Sequence, residues 1–255
     1  MTQFRPGGFQ MLPFVVKNLI IINVLVLIAQ TILPSSGINL DNTFALHTWQ
    51  SELFKPWQFI TYMFMHADFW HLFFNMFALW VFGAALENLW GPKRFLTFYI
   101  IAGLGAALCH MIVLFYENQQ IIHEYMSINT NDPNYTSLLK TFLDKYNIQR
   151  QGYVTPELAQ TVINDNFNVP TIGASGAVFG CLAAFGYLFP NDYLYIFGVF
   201  PLKAKWVVIL YIVVELFSTF QNSAGDNVAH VAHLGGALAG ILMVYFWNKT
   251  NRRTY

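Results

Sequence analysis

The chain alternates long apolar runs with short polar breaks, and six of the runs approach the length a bilayer demands. A crossing needs about 20 predominantly apolar residues, and the candidates lie at 14–34, 69–90, 95–116, 172–190, 206–220 and 230–247. The pattern therefore predicts six transmembrane helices, with segments 1–13 and 248–255 outside the membrane. The first run has Lys17 near its start, an arrangement shared with secretory signals. No small-residue cleavage site follows it and five more runs do, so the reading is a retained helix. The one large polar stretch, 117–169, separates the third and fourth runs. Within it Leu138, Leu139, Phe142, Leu143 and Tyr146 recur at helical spacing, and Asn131-Asp132-Pro133-Asn134 predicts a turn. Thr155-Pro156-Glu157 supplies an N-cap, a proline at the first helical position and an acidic first turn ahead of Leu158, Val162 and Phe167. A helical extramembrane insertion is the expectation for this stretch.

Composition agrees with the pattern. Apolar residues make up 56% of the 255 and charged residues 10%, against roughly 25% charged in soluble domains. The 13 basic and 13 acidic residues cancel, which removes the basic face that nucleic acid would require. Cys109 and Cys181 both lie in apolar runs, so neither a disulfide scaffold nor a cysteine metal site is supported. Charge also orients the chain. With six crossings the termini share a side, which holds nine Lys and Arg; Lys55, Lys140, Lys145 and Arg150 lie on the other. The basic excess marks the cytoplasmic side. Crossings two, four and six then run from outside to inside.

Polar groups at membrane depth are costly and mark candidate sites. Crossing two carries His71 and Asn75, four apart and so on one helical face. Crossing four opens with Gly173-Ala174-Ser175-Gly176, and crossing six carries His233 followed by Gly236 and Gly240. All three clusters fall within about two turns of the outer end of an outside-to-inside helix, so they share one depth. A serine, a histidine and side-chain hydrogen-bond donors at one depth supply the nucleophile, base and oxyanion donors of serine hydrolysis. The glycine stripe on the His233 helix would let it approach the serine helix closely.

These residues resemble the rhomboid intramembrane serine proteases. The likeness rests on His71-x-x-x-Asn75, Gly173-x-Ser175-Gly176, His233-x-x-Gly236-x-x-x-Gly240 and Gly83-x-x-x-Glu87-x-x-x-Gly91, in the family's order between about Pro56 and Trp247, with 117–169 outside it. The resemblance implies an all-α, six-helix membrane bundle and a Ser175–His233 dyad without a third acid. It implies an oxyanion hole from the Ser175 backbone N–H with the side chains of His71 and Asn75, and supporting positions at Gly173, Gly176, Phe179, Gly236 and Gly240. It further implies membrane-protein substrates with one transmembrane helix, cut near the outer end, with the lipid bilayer as surroundings and no cofactor. Two positions depart from the family pattern. Trp57-Gln58 stands where the family often has Trp-Arg, and Phe179 where it often has Tyr, keeping a ring for the catalytic histidine to pack on.

Other polar residues are less specific. His66 and His71 lie at one helix end that His230 could approach, but no His-Glu-x-x-His pattern occurs, and no metal is expected. Glu87 is expected to fix helix ends by hydrogen bonding, and Glu215 in crossing five either lines a water-filled cavity or accepts from a neighbouring helix. The function expected is intramembrane proteolysis in a bacterial-type plasma membrane, with the termini cytoplasmic and the site near the outer face. The alternatives are an inactive rhomboid-like protein that binds membrane clients and a small-solute transporter, for which the chain lacks an inverted repeat.

Overall fold

The computed structural model describes residues 9–145, 155–196, 200–220 and 227–251. Helix α1 (Phe14–Ile32) leads into a loop carrying two single-turn helices, α2 (Asp41–Phe44) and α3 (Gln58–Thr61). Helix α4 (Phe69–Ala78) passes through a π-helical turn at Leu79–Gly83 into α5 (Ala84–Trp90), and α6 (Pro92–Ser127) follows at once. Two short helices, α7 (Tyr135–Lys145) and α8 (Pro156–Phe167), precede α9 (Ser175–Leu188). A small hairpin of β1 (Tyr193–Ile196) and β2 (Phe200–Lys203) then joins α9 to α10 (Ala204–Phe220) and α11 (Asn227–Asn251). The strands are antiparallel, with Tyr193 opposite Lys203, and this two-stranded ribbon is an addition to the all-helical expectation.

Among the described residues four helices are long and apolar enough to cross a membrane: Phe14–Ser36, Phe69–Trp90, Pro92–Ser127 and His230–Lys249. The other two expected crossings, α9 and α10, are apolar but only 14 and 17 residues long. At 1.5 Å per residue α9 spans about 21 Å, short of a hydrocarbon core of about 30 Å. Its burial explains how it persists. Every residue from Gly176 to Gly186 except Phe179 is buried, so neighbouring helices rather than lipid surround it. The apolar faces left exposed lie on the outer helices: Ile21 and Leu25 on α1, Phe69, Phe73 and Phe77 on α4, and Ile209, Val213 and Phe217 on α10.

Small residues set the helix spacings. A side chain at Gly180 would meet the Ala102 methyl at 2.6 Å and the Gly236 carbonyl oxygen at 3.1 Å, and one at Gly240 would meet the Gly180 carbonyl oxygen at 2.9 Å. Helices α6, α9 and α11 therefore touch backbone to backbone, the close approach that small residues permit. Glu87 fixes the opposite end of the bundle. Its two carboxylate oxygens each accept a backbone N–H from the first turn of α1, from Val15 and Val16, at 2.8 Å. Two donors that a helix start leaves unpaired are thus satisfied by a buried acid, and the helix dipole favours its charge.

Helix α6 overruns the crossing expected at 95–116 and continues to Ser127. The overrun is stable because Ile121 packs in a second small core with Leu139, Phe142 and Leu143 of α7 and Ala159 and Ile163 of α8. The amphipathic helices of the polar stretch thus bury their faces on each other and on the end of α6. Thr155 accepts from the Leu158 N–H at 3.4 Å, and Asp132 accepts from the Asn134 N–H at 2.7 Å, closing the turn ahead of α7. Leu138 points outward, and Tyr146 lies outside the described residues.

Candidate active site

The serine sits at the first residue of α9, where the preceding chain is extended. Leu46 and Thr171 exchange two backbone hydrogen bonds, of 2.9 and 2.8 Å, tying the segment before α9 to the loop after α1. Gly173 then takes φ +129, a conformation open to glycine, and donates its N–H to the Tyr62 carbonyl at 3.0 Å. The helix starting two residues later leaves the N–H groups of its first turn without intrahelical partners. An anion forming beside Ser175 therefore meets the positive end of the α9 dipole.

Ser175 Oγ lies 2.9 Å from His233 Nε2 on α11. The His233 ring is fixed in plane by Phe179, one turn beyond the serine, whose ring stacks on it at 4.2 Å with an interplanar angle of 4°. Phe179 in turn packs edge-on against Tyr211 of α10 at 4.8 Å. Gly236, one turn after His233, lies against the backbone of Gly176 too closely for a side chain to fit. The spacing His233-x-x-Gly236 thus sets the separation of His233 and Ser175: the glycine lets the helices touch one turn from that pair.

His71 approaches from α4. A side chain at Gly173 would meet His71 Nε2 at 2.9 Å and Ser175 Oγ at 3.5 Å. The absent Cβ leaves a small space between a His71 ring nitrogen and the Ser175 hydroxyl. Asp68 caps α4 by accepting the His71 N–H at 2.8 Å, and Asn75 donates its amide to the His71 carbonyl at 3.0 Å. Asn75 therefore braces the turn that carries His71 and keeps one amide hydrogen available. His66 lies edge-on to His71 at 5.0 Å, and burial pushes its imidazole down to about 4, so it is a neutral wall.

Glu215 of α10 is the residue whose place at the site was not legible in the sequence. It is buried, and Oε2 lies 2.5 Å from His230 Nδ1 while Oε1 lies 3.3 Å from His233 Nδ1. His230 thus faces Glu215 rather than His66 and His71, correcting the approach considered above. Of the two expectations for Glu215, acceptance from a neighbouring helix is what the structure shows. Glu215, His230 and His233 thus form one cluster whose ligand-type atoms all lie within 4.8 Å of one another. Gln58, in the position of the family's usual Arg, is buried; it accepts the His47 N–H at 3.2 Å and donates to the Leu53 carbonyl at 2.9 Å, clasping the loop without a charge. His110 bonds to the Thr171 hydroxyl just ahead of Gly173.

Comparison with known proteins adds a second line of observation. The model of the Rhomboid domain matches residues 53–127 and 141–249, so between these bounds the match breaks only at 128–140, inside the polar stretch. The chain is 30% identical over 192 residues to "Rhomboid protein 1, mitochondrial" of Saccharomyces cerevisiae, covering 73% of this chain and 40% of that one. It is 26% identical over 178 residues to "RHOMBOID-like protein 12, mitochondrial" of Arabidopsis thaliana, covering 70% and 42%. It is 27% identical over 195 residues to "Rhomboid protease AarA" of Providencia stuartii, covering 73% and 54%. The matches thus span about two fifths to half of these relatives' own lengths. The relatives carry mitochondrial names as well as bacterial sources, so the likeness supports integral membrane placement and does not select the bacterial-type plasma membrane expected from the sequence.

Proposed function

The chain belongs to the rhomboid family, a helical polytopic membrane fold, and from that premise we propose that it is an intramembrane serine endopeptidase acting on transmembrane segments of other proteins. The observation that carries the reading is the 2.9 Å Ser175–His233 contact at the half-buried start of α9, with the His233 ring held flat on Phe179. In the proposed reaction His233 Nε2 takes the hydroxyl proton as Ser175 Oγ attacks the scissile carbonyl, then passes it to the leaving amine; water repeats the cycle on the acyl-enzyme. The Ser175 backbone N–H, His71 and the free hydrogen of Asn75 would hold the oxyanion. No cofactor takes part in this scheme.

The proposal includes six crossings, cytoplasmic termini and a site near the outer face. The short α9 supports it: if its far end reaches one membrane face, Ser175 lies about 9 Å below the other, by the length difference worked above. A transmembrane helix is a poor substrate until it unwinds, because its carbonyls are hydrogen-bonded and shielded. Substrates should therefore carry helix-breaking or small residues near the cut.

The test is labelling of the purified protein with a serine-directed fluorophosphonate, together with cleavage of a single-span reporter. Wild type should do both, and Ser175→Ala and His233→Ala should do neither while remaining folded by circular dichroism. A Ser175→Ala protein that still cleaves would refute the assignment. A wild type that neither labels nor cleaves, but retains reporter on copurification, would favour the client-binding alternative.

A further inference from the structure

We propose that Glu215 is a positioning residue for His233, supporting the Ser175–His233 pair from α10 with His230 as its anchor. The inference rests on the serine-protease reading above. Its starting point is an acid where an acid is expensive. Glu215 is buried on α10, a helix whose other residues beyond Lys205 are largely apolar and whose outer face exposes Ile209, Val213 and Phe217. A carboxylate in such surroundings is retained only when both oxygens are engaged.

Both are engaged, and unequally. His230 and His233 are three apart on α11 and so share a face. Oε2 is bound by His230 Nδ1 at 2.5 Å, which leaves Oε1 facing His233 Nδ1 at 3.3 Å. That second contact is at ion-pair distance but is not aligned as a hydrogen bond. Its position is what matters. Because Nε2 of His233 faces the serine, the base works only in the tautomer that carries its proton on Nδ1. A carboxylate beside Nδ1 favours that tautomer and stabilises the imidazolium formed when Nε2 takes the serine proton. Contacts of this kind are often long in a resting enzyme and tighten as charge develops.

The proton balance is simple. The Ser175 hydroxyl proton moves to His233 Nε2 as the Oγ–carbon bond forms, Nδ1 keeps its own proton, and Glu215 stays ionised throughout. When the carbon–nitrogen bond breaks, the Nε2 proton leaves on the amine. The rival role is a staple, in which the Glu215–His230 pair only fastens α10 to α11 and the His233 contact is incidental. The two roles differ in how the labelling rate responds to pH. The groups facing that ring are Ser175 from α9, Glu215 from α10, His230 on its own helix and His71 from α4, with Tyr211 of α10 behind Phe179.

The experiment measures fluorophosphonate labelling rates of Ser175, and kcat and KM for a single-span reporter, between pH 5 and 9 in the full chain. The variants are Glu215→Gln, Glu215→Asp and His230→Gln. Glu215→Gln should lower labelling and kcat by about 10², leave KM within about twofold, and shift the acid limb of the profile to lower pH, because the imidazolium has lost its counter-charge. Glu215→Asp, which keeps the charge, should recover part of the rate and the original acid limb. His230→Gln should lose less than Glu215→Gln, since Oε1 remains. Wild-type labelling with an unchanged rate in Glu215→Gln would overturn the inference alone. So would a rate loss with the acid limb unmoved in both Glu215 variants, which is the staple's signature. A wild type that never labels at Ser175 would overturn the protease reading, and this inference with it.

Discussion

The contact between Gly236 and Gly176 offers the sharpest test of how the backbone sets the chemistry. A methyl group at Gly236 would overlap the Gly176 carbonyl oxygen, which belongs to a buried helix backbone and cannot rotate aside. The overlap amounts to about 1 Å relative to the closest spacing that packed atoms tolerate. Gly236→Ala must therefore push α11 away from α9 by a comparable distance. The displacement falls one turn from His233, so the 2.9 Å contact with Ser175 opens by a similar amount. Overpacking of this kind costs about 1–3 kcal/mol in stability, and misplacing a catalytic pair by about 1 Å costs about 10² in rate. Gly240→Ala is the graded control, since its methyl would stand 2.9 Å from the Gly180 carbonyl oxygen, two turns from His233. The assay pairs fluorophosphonate labelling rate with thermal unfolding in the same detergent. Gly236→Ala should lose far more rate than its stability loss explains, and Gly240→Ala should show the reverse. Wild-type labelling by a folded Gly236→Ala protein would refute the claim that this glycine sets the Ser–His separation.

Asn75→Ala should retain measurable cleavage, reduced by about 10²–10³ as for loss of one oxyanion donor, with unfolding temperature lowered only modestly; an inactive but fully stable protein would point to a different role. Glu87→Ala leaves the Val15 and Val16 N–H groups buried without acceptors and should cost about 3 kcal/mol, seen as a lower unfolding temperature and faster proteolysis near residue 14. A Glu87→Ala protein as stable as wild type would show that these donors find other partners.

Several features were legible because they are written in local spacing. His71 and Asn75, or His233 and Gly236, meet one face of one helix at three or four residues apart, and the small-residue stripe announces the close helix pair. The cap at Thr155 and the turn at Asp132 are equally local. Glu215 was not legible in its role, because nothing in α10 says which way an isolated acid points. That is decided by the rotation of α10 against α11, a tertiary relation with no sequence period. The length of α6 was hidden for a related reason. Residues 117–127 are too polar to read as membrane helix, and they continue the helix because α7 and α8 supply a core around Ile121.

Helices α7 and α8 reach the site through one short segment. Asn168, just beyond α8, accepts from the Ser51 hydroxyl at 2.6 Å, and Thr171 is paired to Leu46 by its backbone and to His110 by its hydroxyl. Gly173 is then held by Tyr62, whose own hydroxyl donates to the Gly103 carbonyl at 2.8 Å. Over the seven residues before the serine, 168–174, the chain is thus fastened to the loop after α1 and to α6. A positive φ at Gly173 has a conformational cost in entropy that the chain must recover elsewhere, and these fastenings are where it is recovered. Helices α7 and α8, packed on the end of α6, sit at the head of this segment and fix its start, which ties the placement of Ser175 to a core about 10 residues upstream.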